Sequence, residues 1–122
     1  MFQRVFLMAL LAMSAPAFAE TDEIAPVPAA AVIGHPYFGD RAPSQIRFIN
    51  VRARPIRLMW ISFDGTERPY TVIEPGKEIV QPTYVAHRWL VKDEGDGTPL
   101  HAYISTRSAA RDNGTAQIAL IR

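Results

Sequence analysis

Three histidines, His35, His87 and His101, are the side chains best suited to acid–base or metal chemistry, and their spacing serves neither. No H-E-x-x-H stretch occurs and no two of them stand four residues apart, so the pattern of a helical zinc site is missing. The chain has no cysteine, which removes thiol catalysis and cysteine-ligated zinc. The serines lack a G-x-S-x-G elbow, and the glycines sit in turns rather than in a phosphate-cradling G-x-G-x-x-G or P-loop. Glu67, Glu74 and Glu78 flank turns, where solvated carboxylates are ordinary. Neither catalysis nor a metal or cofactor site is expected.

The residues that do gather are aromatic and polar together: Trp60, Phe63, Tyr70, Thr83, Tyr84, His87 and Trp89. Side chains alternate along a strand, so His87, Trp89 and Val91 share one face. A histidine beside a tryptophan on such a face is either a core residue with its nitrogens satisfied or the floor of a pocket. Aromatic pairs dominate small β cores, which favours the first.

The elements that must position these residues are short β-prone runs between turn residues. Gln45 to Val51 and Ile56 to Phe63 are rich in Ile, Val, Phe and Trp, with Arg54-Pro55 connecting them. Asp64-Gly65 turns the chain, Tyr70 to Ile73 is closed by Pro75-Gly76, and Glu78 to Gln81 is ended by Pro82. His87 to Lys92, Leu100 to Ser105 and Ala116 to Ile121 follow, the last after the turn Asp112-Asn113-Gly114. Seven short strands with Pro and Gly punctuation predict an all-β fold, a seven-stranded antiparallel β sandwich. The best helix candidate, Thr106 to Asp112, is one or two turns.

The 122 residues make one domain at most. Residues 1–19 combine Arg4, an apolar run from Val5 to Met13 and Ala17-Phe18-Ala19, the pattern of a signal peptide cleaved after Ala19. A secreted or periplasmic location is expected. The apolar run is far short of the roughly 20 residues a membrane span needs. Removing Arg4 brings the formal net charge from +1 to zero, so nothing favours a nucleic-acid partner. Residues 20–43, rich in Pro and Ala, read as a linker, with Val32, Ile33, Tyr37 and Phe38 able to pack on the domain edge. Residues 44–122 are the domain, large enough to bury roughly 65% of its unfolded surface.

Ser44-Gln45-Ile46-Arg47-Phe48-Ile49-Asn50, Trp60-Ile61-Ser62-Phe63-Asp64-Gly65, Pro69-Tyr70, Pro75-Gly76 and Thr83-Tyr84 with His87-Arg88-Trp89-Leu90 resemble the β domain of the von Hippel-Lindau family. The resemblance runs without a gap from Arg41 to about Asp93. It implies a seven-stranded β sandwich that captures a peptide carrying 4-hydroxyproline. Trp60, Tyr70 and Trp89 match the aromatic walls of that pocket. Thr83, standing where the family has Ser, and His87 match the residues that hydrogen-bond the prolyl hydroxyl. Phe63, Tyr84 and Arg41 match positions that flank the peptide.

Two departures matter. Pro82 replaces a His that helps hold the peptide backbone, and nothing after Ser105 resembles the family's helical α domain, which recruits a ubiquitin-ligase adaptor. The expectation is therefore an exported, non-enzymatic module that binds an extended peptide or protein, including one with hydroxyproline, without a ubiquitin-ligase role. The alternative is a structural or envelope-assembly domain whose aromatics only pack the core. A peptide- or glycan-processing enzyme comes third.

Overall fold

A computed structural model describes residues 23–106 and 117–122, and its seven strands form two sheets. The strands are β1 (Pro43–Asn50), β2 (Ile56–Ile61), β3 (Glu67–Ile73), β4 (Glu78–Tyr84), β5 (Arg88–Asp93), β6 (Pro99–Ile104) and β7 (Gln117–Ile121). One sheet has the order β4-β1-β7 and the other β3-β2-β5-β6. Along β1, Ser44, Ile46, Phe48 and Asn50 alternate inward, as half-buried strands require. Between the sheets Ile46, Phe48, Ile56, Leu58, Ile73, Trp89, Val91, Tyr103, Ala119 and Ile121 form the main core. Phe48 lies at its centre, edge-on to Trp89 at 6.2 Å and to Tyr103 at 5.9 Å between ring centroids.

Seven strands in two sheets agree with the sequence, but the expected all-antiparallel pairing is corrected at β1 and β7, which run parallel. The chain arrives at β7 from β6 in the opposite sheet. A connection that changes sheets is not a tight hairpin, so it imposes no antiparallel return. A second correction concerns Pro82, which lies inside β4 opposite Gln45 instead of ending the strand. β4 is a sheet edge, where a residue without an N–H costs no ladder bond. Pro69 occupies the other accessible edge, β3, in the same way. His87 falls just before β5, and Phe63 just after β2. The helix candidate and the Asp112-Asn113-Gly114 turn lie outside the described residues, apart from Thr106, as does the signal-peptide pattern.

The Pro/Ala-rich stretch does not behave as a spacer over its described part. Residues 23–42 form a strap across the domain. Ile24 N–H donates to the Ile118 carbonyl at 2.8 Å, and Val27 exchanges two backbone hydrogen bonds with Ala102 at 2.8 and 2.9 Å. After a 3₁₀ turn at Ala29–Ala31, Val32 is 1% exposed in a second core cluster with Met59, Ile61, Leu90 and Ala102. The strap thus covers the outer face of the four-stranded sheet. Ile33 and Tyr37 pack there as anticipated, whereas Phe38 is 98% exposed and does not.

Candidate aromatic binding site

At the side of the sandwich where edge strands β3 and β4 face each other, a cavity of about 210 Å³ is lined by Trp60, Tyr70, Pro82, Thr83, Tyr84, His87 and Trp89. Four strands and a turn converge to make it. β2 supplies Trp60, β3 Tyr70, β4 Pro82 to Tyr84, β5 Trp89, and the β4–β5 turn His87. Tyr70 and Tyr84 are exposed at the mouth, while Thr83, His87 and Trp89 are buried at the back.

The back wall is tightly organised. The Trp89 indole N–H donates to Thr83 Oγ1 at 2.9 Å in a buried hydrogen bond. That bond uses an acceptor position of the hydroxyl and leaves its proton available to donate. Tyr70 stands edge-on to Trp89 at 4.9 Å, so half-exposed and fully buried rings form one wall. Trp89 itself is 2% exposed and belongs to the main core, which makes it both packing and pocket.

His87 is boxed by three rings. Trp60 stacks on it at 5.7 Å with 28° between planes, Phe63 meets it edge-on at 5.2 Å, and Tyr84 is tilted at 5.2 Å. Burial among these rings pushes the imidazole below its ordinary value, against a smaller opposing pull from a hydrogen bond to the Asp40 backbone. The ring is neutral at neutral pH, with one nitrogen donating and the other accepting.

The turn that aims His87 is tight. His87 N–H bonds the Tyr84 carbonyl at 3.1 Å, and Ala86 takes φ = 73°, the left-handed value of the third position in a type II turn. Ser105 secures this turn from the neighbouring strand end, accepting from Ala86 N–H at 2.8 Å and donating its own N–H to the His87 carbonyl at 3.0 Å. The β2–β3 turn beneath Phe63 is held by Asp64, whose carboxylate accepts from the Ser62 hydroxyl and from both the backbone and hydroxyl of Thr66. Those donors hold its carboxyl down to about 2.

Of the eight residues singled out in the sequence, Trp60, Tyr70, Thr83, Tyr84, His87 and Trp89 meet in the cavity. Phe63 abuts it through Trp60 and His87. Arg41 does not reach it, and with Phe63 it borders an adjoining cavity of about 700 Å³ formed largely by strap residues Pro36 to Asp40. Sequence reasoning read residues 20–43 as a linker with Tyr37 able to pack on the domain edge and did not foresee its contacts here: Tyr37 hydrogen-bonds the Ile61 carbonyl and lies under Arg88, whose guanidinium is 4.4 Å from the ring centroid. The uninterrupted apolar run Leu58 to Ile61 was the available signal, since a strand buried on both faces needs a cover on each.

A two-sheet sandwich with an aromatic cavity at one side, backed by a hydroxyl and a neutral imidazole, is the architecture of a binding domain. The family model for the VHL beta domain matches residues 37–113. The chain belongs to that family. The match starts inside the strap, upstream of Arg41, and continues beyond β6.

Proposed function

We propose that this protein is an exported peptide-recognition module whose aromatic cavity accepts a prolyl ring and prefers its 4-hydroxylated form. The VHL β domain is a substrate-recognition module for hydroxyproline peptides and not a catalytic domain, which supports binding as the general function. The observation that carries the finer reading is the pairing of Thr83 and His87 at the back of a cavity of about 210 Å³ walled by Trp60, Tyr70 and Trp89. Aromatic faces suit a pyrrolidine ring, and a buried hydroxyl left unpaired costs about 1–3 kcal/mol. Sites built to bond a ligand hydroxyl can reject the analogue without it by up to ~10⁴-fold. The cavity lies beside edge strands β3 and β4, where an extended peptide can run along exposed backbone. Export, to the periplasm or outside the cell, is the reading supported by residues 1–19.

The test is binding of the full chain to peptide pairs that differ only in proline or 4-hydroxyproline, in several flanking sequences, with His87→Ala beside it. Preference for the hydroxylated member, lost in the variant, is expected. Equal or absent binding across all pairs sinks the reading.

One observation favours a second reading, a structural or envelope-assembly domain. Trp89 is almost wholly buried and its N–H is already satisfied by Thr83, as in a pure core. On that reading the variant changes stability alone.

A further inference from the structure

The strap approaches His87 more closely than its sequence suggests. A Cβ added to Gly39 would lie 2.5 Å from Phe63 Cε1, 2.9 Å from His87 Nε2 and 3.0 Å from His87 Cδ2. Any side chain there would force the strap, Phe63 or the imidazole to move. The strap backbone also ties together the two turns that carry these rings. Gly34 N–H donates to the Gly65 carbonyl at 3.0 Å and Tyr37 N–H to the Phe63 carbonyl at 3.0 Å, on the β2–β3 side. Asp40 N–H donates to the Val85 carbonyl at 3.1 Å and Val85 N–H to the Ala42 carbonyl at 2.9 Å, on the β4–β5 side. Between those two clasps the backbone passes against the Nε2 edge of His87, and the Asp40 backbone favours a proton on the ring.

We propose that residues 35–42 complete the binding site and that Gly39 is its positioning residue: without a side chain, it lets the strap backbone hold His87 with its proton on Nε2. The other ring nitrogen then faces a ligand as an acceptor, while Thr83, already accepting from Trp89, answers as a donor. A ligand group that both donates and accepts fits this pair. An alcohol does; an ether or a ketone leaves the His87 nitrogen unsatisfied, and an unsubstituted ring leaves both partners so. The inference rests on the proposed pocket for its ligand, but the state of the imidazole does not depend on any ligand.

The experiment therefore has two arms, run on the full chain and on Gly39→Ala. Long-range ¹H–¹⁵N imidazole spectra near neutral pH report the His87 tautomer. The expected result is a single neutral form protonated at Nε2, giving way in the variant to a mixture or to the Nδ1 form. The second arm measures affinity for a blocked Ala-hydroxyproline-Ala peptide and its proline twin. The variant is expected to reduce the preference for the hydroxylated peptide by about tenfold or more. Tyr37→Phe, which keeps the ring but removes the hydrogen bond to Ile61, shifts both readouts the same way by a smaller factor and serves if Gly39→Ala fails to fold.

An Nδ1-protonated ring in the unaltered protein overturns the proposal, and so does a variant with unchanged tautomer and unchanged preference. If the unaltered protein shows no preference between the peptides, the pocket reading and its selection of an alcohol fall together. The tautomer arm then still decides whether Gly39 positions His87.

Discussion

Thr83 is the residue at which packing and recognition are hardest to separate, because one hydroxyl serves the Trp89 indole and faces the cavity. Thr83→Val keeps the shape and removes the acceptor. It is expected to cost about 1–3 kcal/mol of stability, the penalty for a buried unpaired N–H, measurable by urea unfolding. Thr83→Ser keeps the bond and should come close to the parent. Trp89→Ala should cost more, about 3–5 kcal/mol, since it empties the core against Phe48 as well as the pocket. For His87 the expected pH behaviour follows from its lowered value. Folding stability is complete above the ordinary histidine range and declines as pH falls below it, because the unfolded chain takes up the proton first. Binding to a hydroxyproline peptide should accordingly be flat from alkaline to neutral pH and weaken only in acid, where the accepting nitrogen is lost. A titration followed by fluorescence anisotropy checks this, and strengthening in acid would contradict it.

At the scale of elements, strands were legible and their cover was not. The alternation of β1 and the turn residues Asp64-Gly65 and Pro75-Gly76 place strands close to where they fall, because period-two burial and turn chemistry are local properties. Pro82 misled, because whether a proline ends a strand depends on its being at an edge, and that is set by long-range pairing. The continuous course of the strap was hidden for the same reason, although Val32 was expected to pack: Val27 and Val32 are sparse apolar residues in a Pro/Ala-rich stretch, and it is the second apolar face of the four-stranded sheet that gives them a partner. Gly65 joins the two. It takes φ = 90°, and a Cβ there would sit 2.7 Å from both the Gly34 carbonyl carbon and the His35 nitrogen. Gly65→Ala is expected to combine backbone strain of about 1–3 kcal/mol with displacement of the strap, seen as loss of amide-exchange protection at Gly34 and Tyr37. The same variant with protection intact would show that the strap bends freely.

At the scale of the whole molecule, the four edges of the two sheets formed by the described residues are guarded by two different devices. β3 and β4 carry Pro69 and Pro82, while β6 and β7 are covered by Val27 and Glu23 of the strap. Exposed edges invite pairing with other chains, and among the described residues only the proline-bearing pair stays accessible, beside the aromatic cavity. Val32→Ala should weaken this arrangement by about 2 kcal/mol, lowering the melting temperature and speeding exchange at Val27 and Ala102. Unchanged exchange would mean that the strap is held by its backbone bonds alone. The aromatic site was legible because its residues lie within one gapless resemblance, whereas the covered edges depend on contacts between distant parts of the chain.

The parallel seam between β1 and β7 has a bearing on synthesis. β1 can pair with β4 as soon as that strand has been made, but its other flank stays open until residues 117–121 leave the ribosome. During that interval the nascent chain presents a central strand bearing Ile46 and Phe48 with one flank open, the kind of surface that chaperones retain and neighbouring chains capture. A message truncated before residue 117 would leave that state permanent, so its product should be cleared by proteolysis or accumulate as aggregate rather than as a weakened form of the protein.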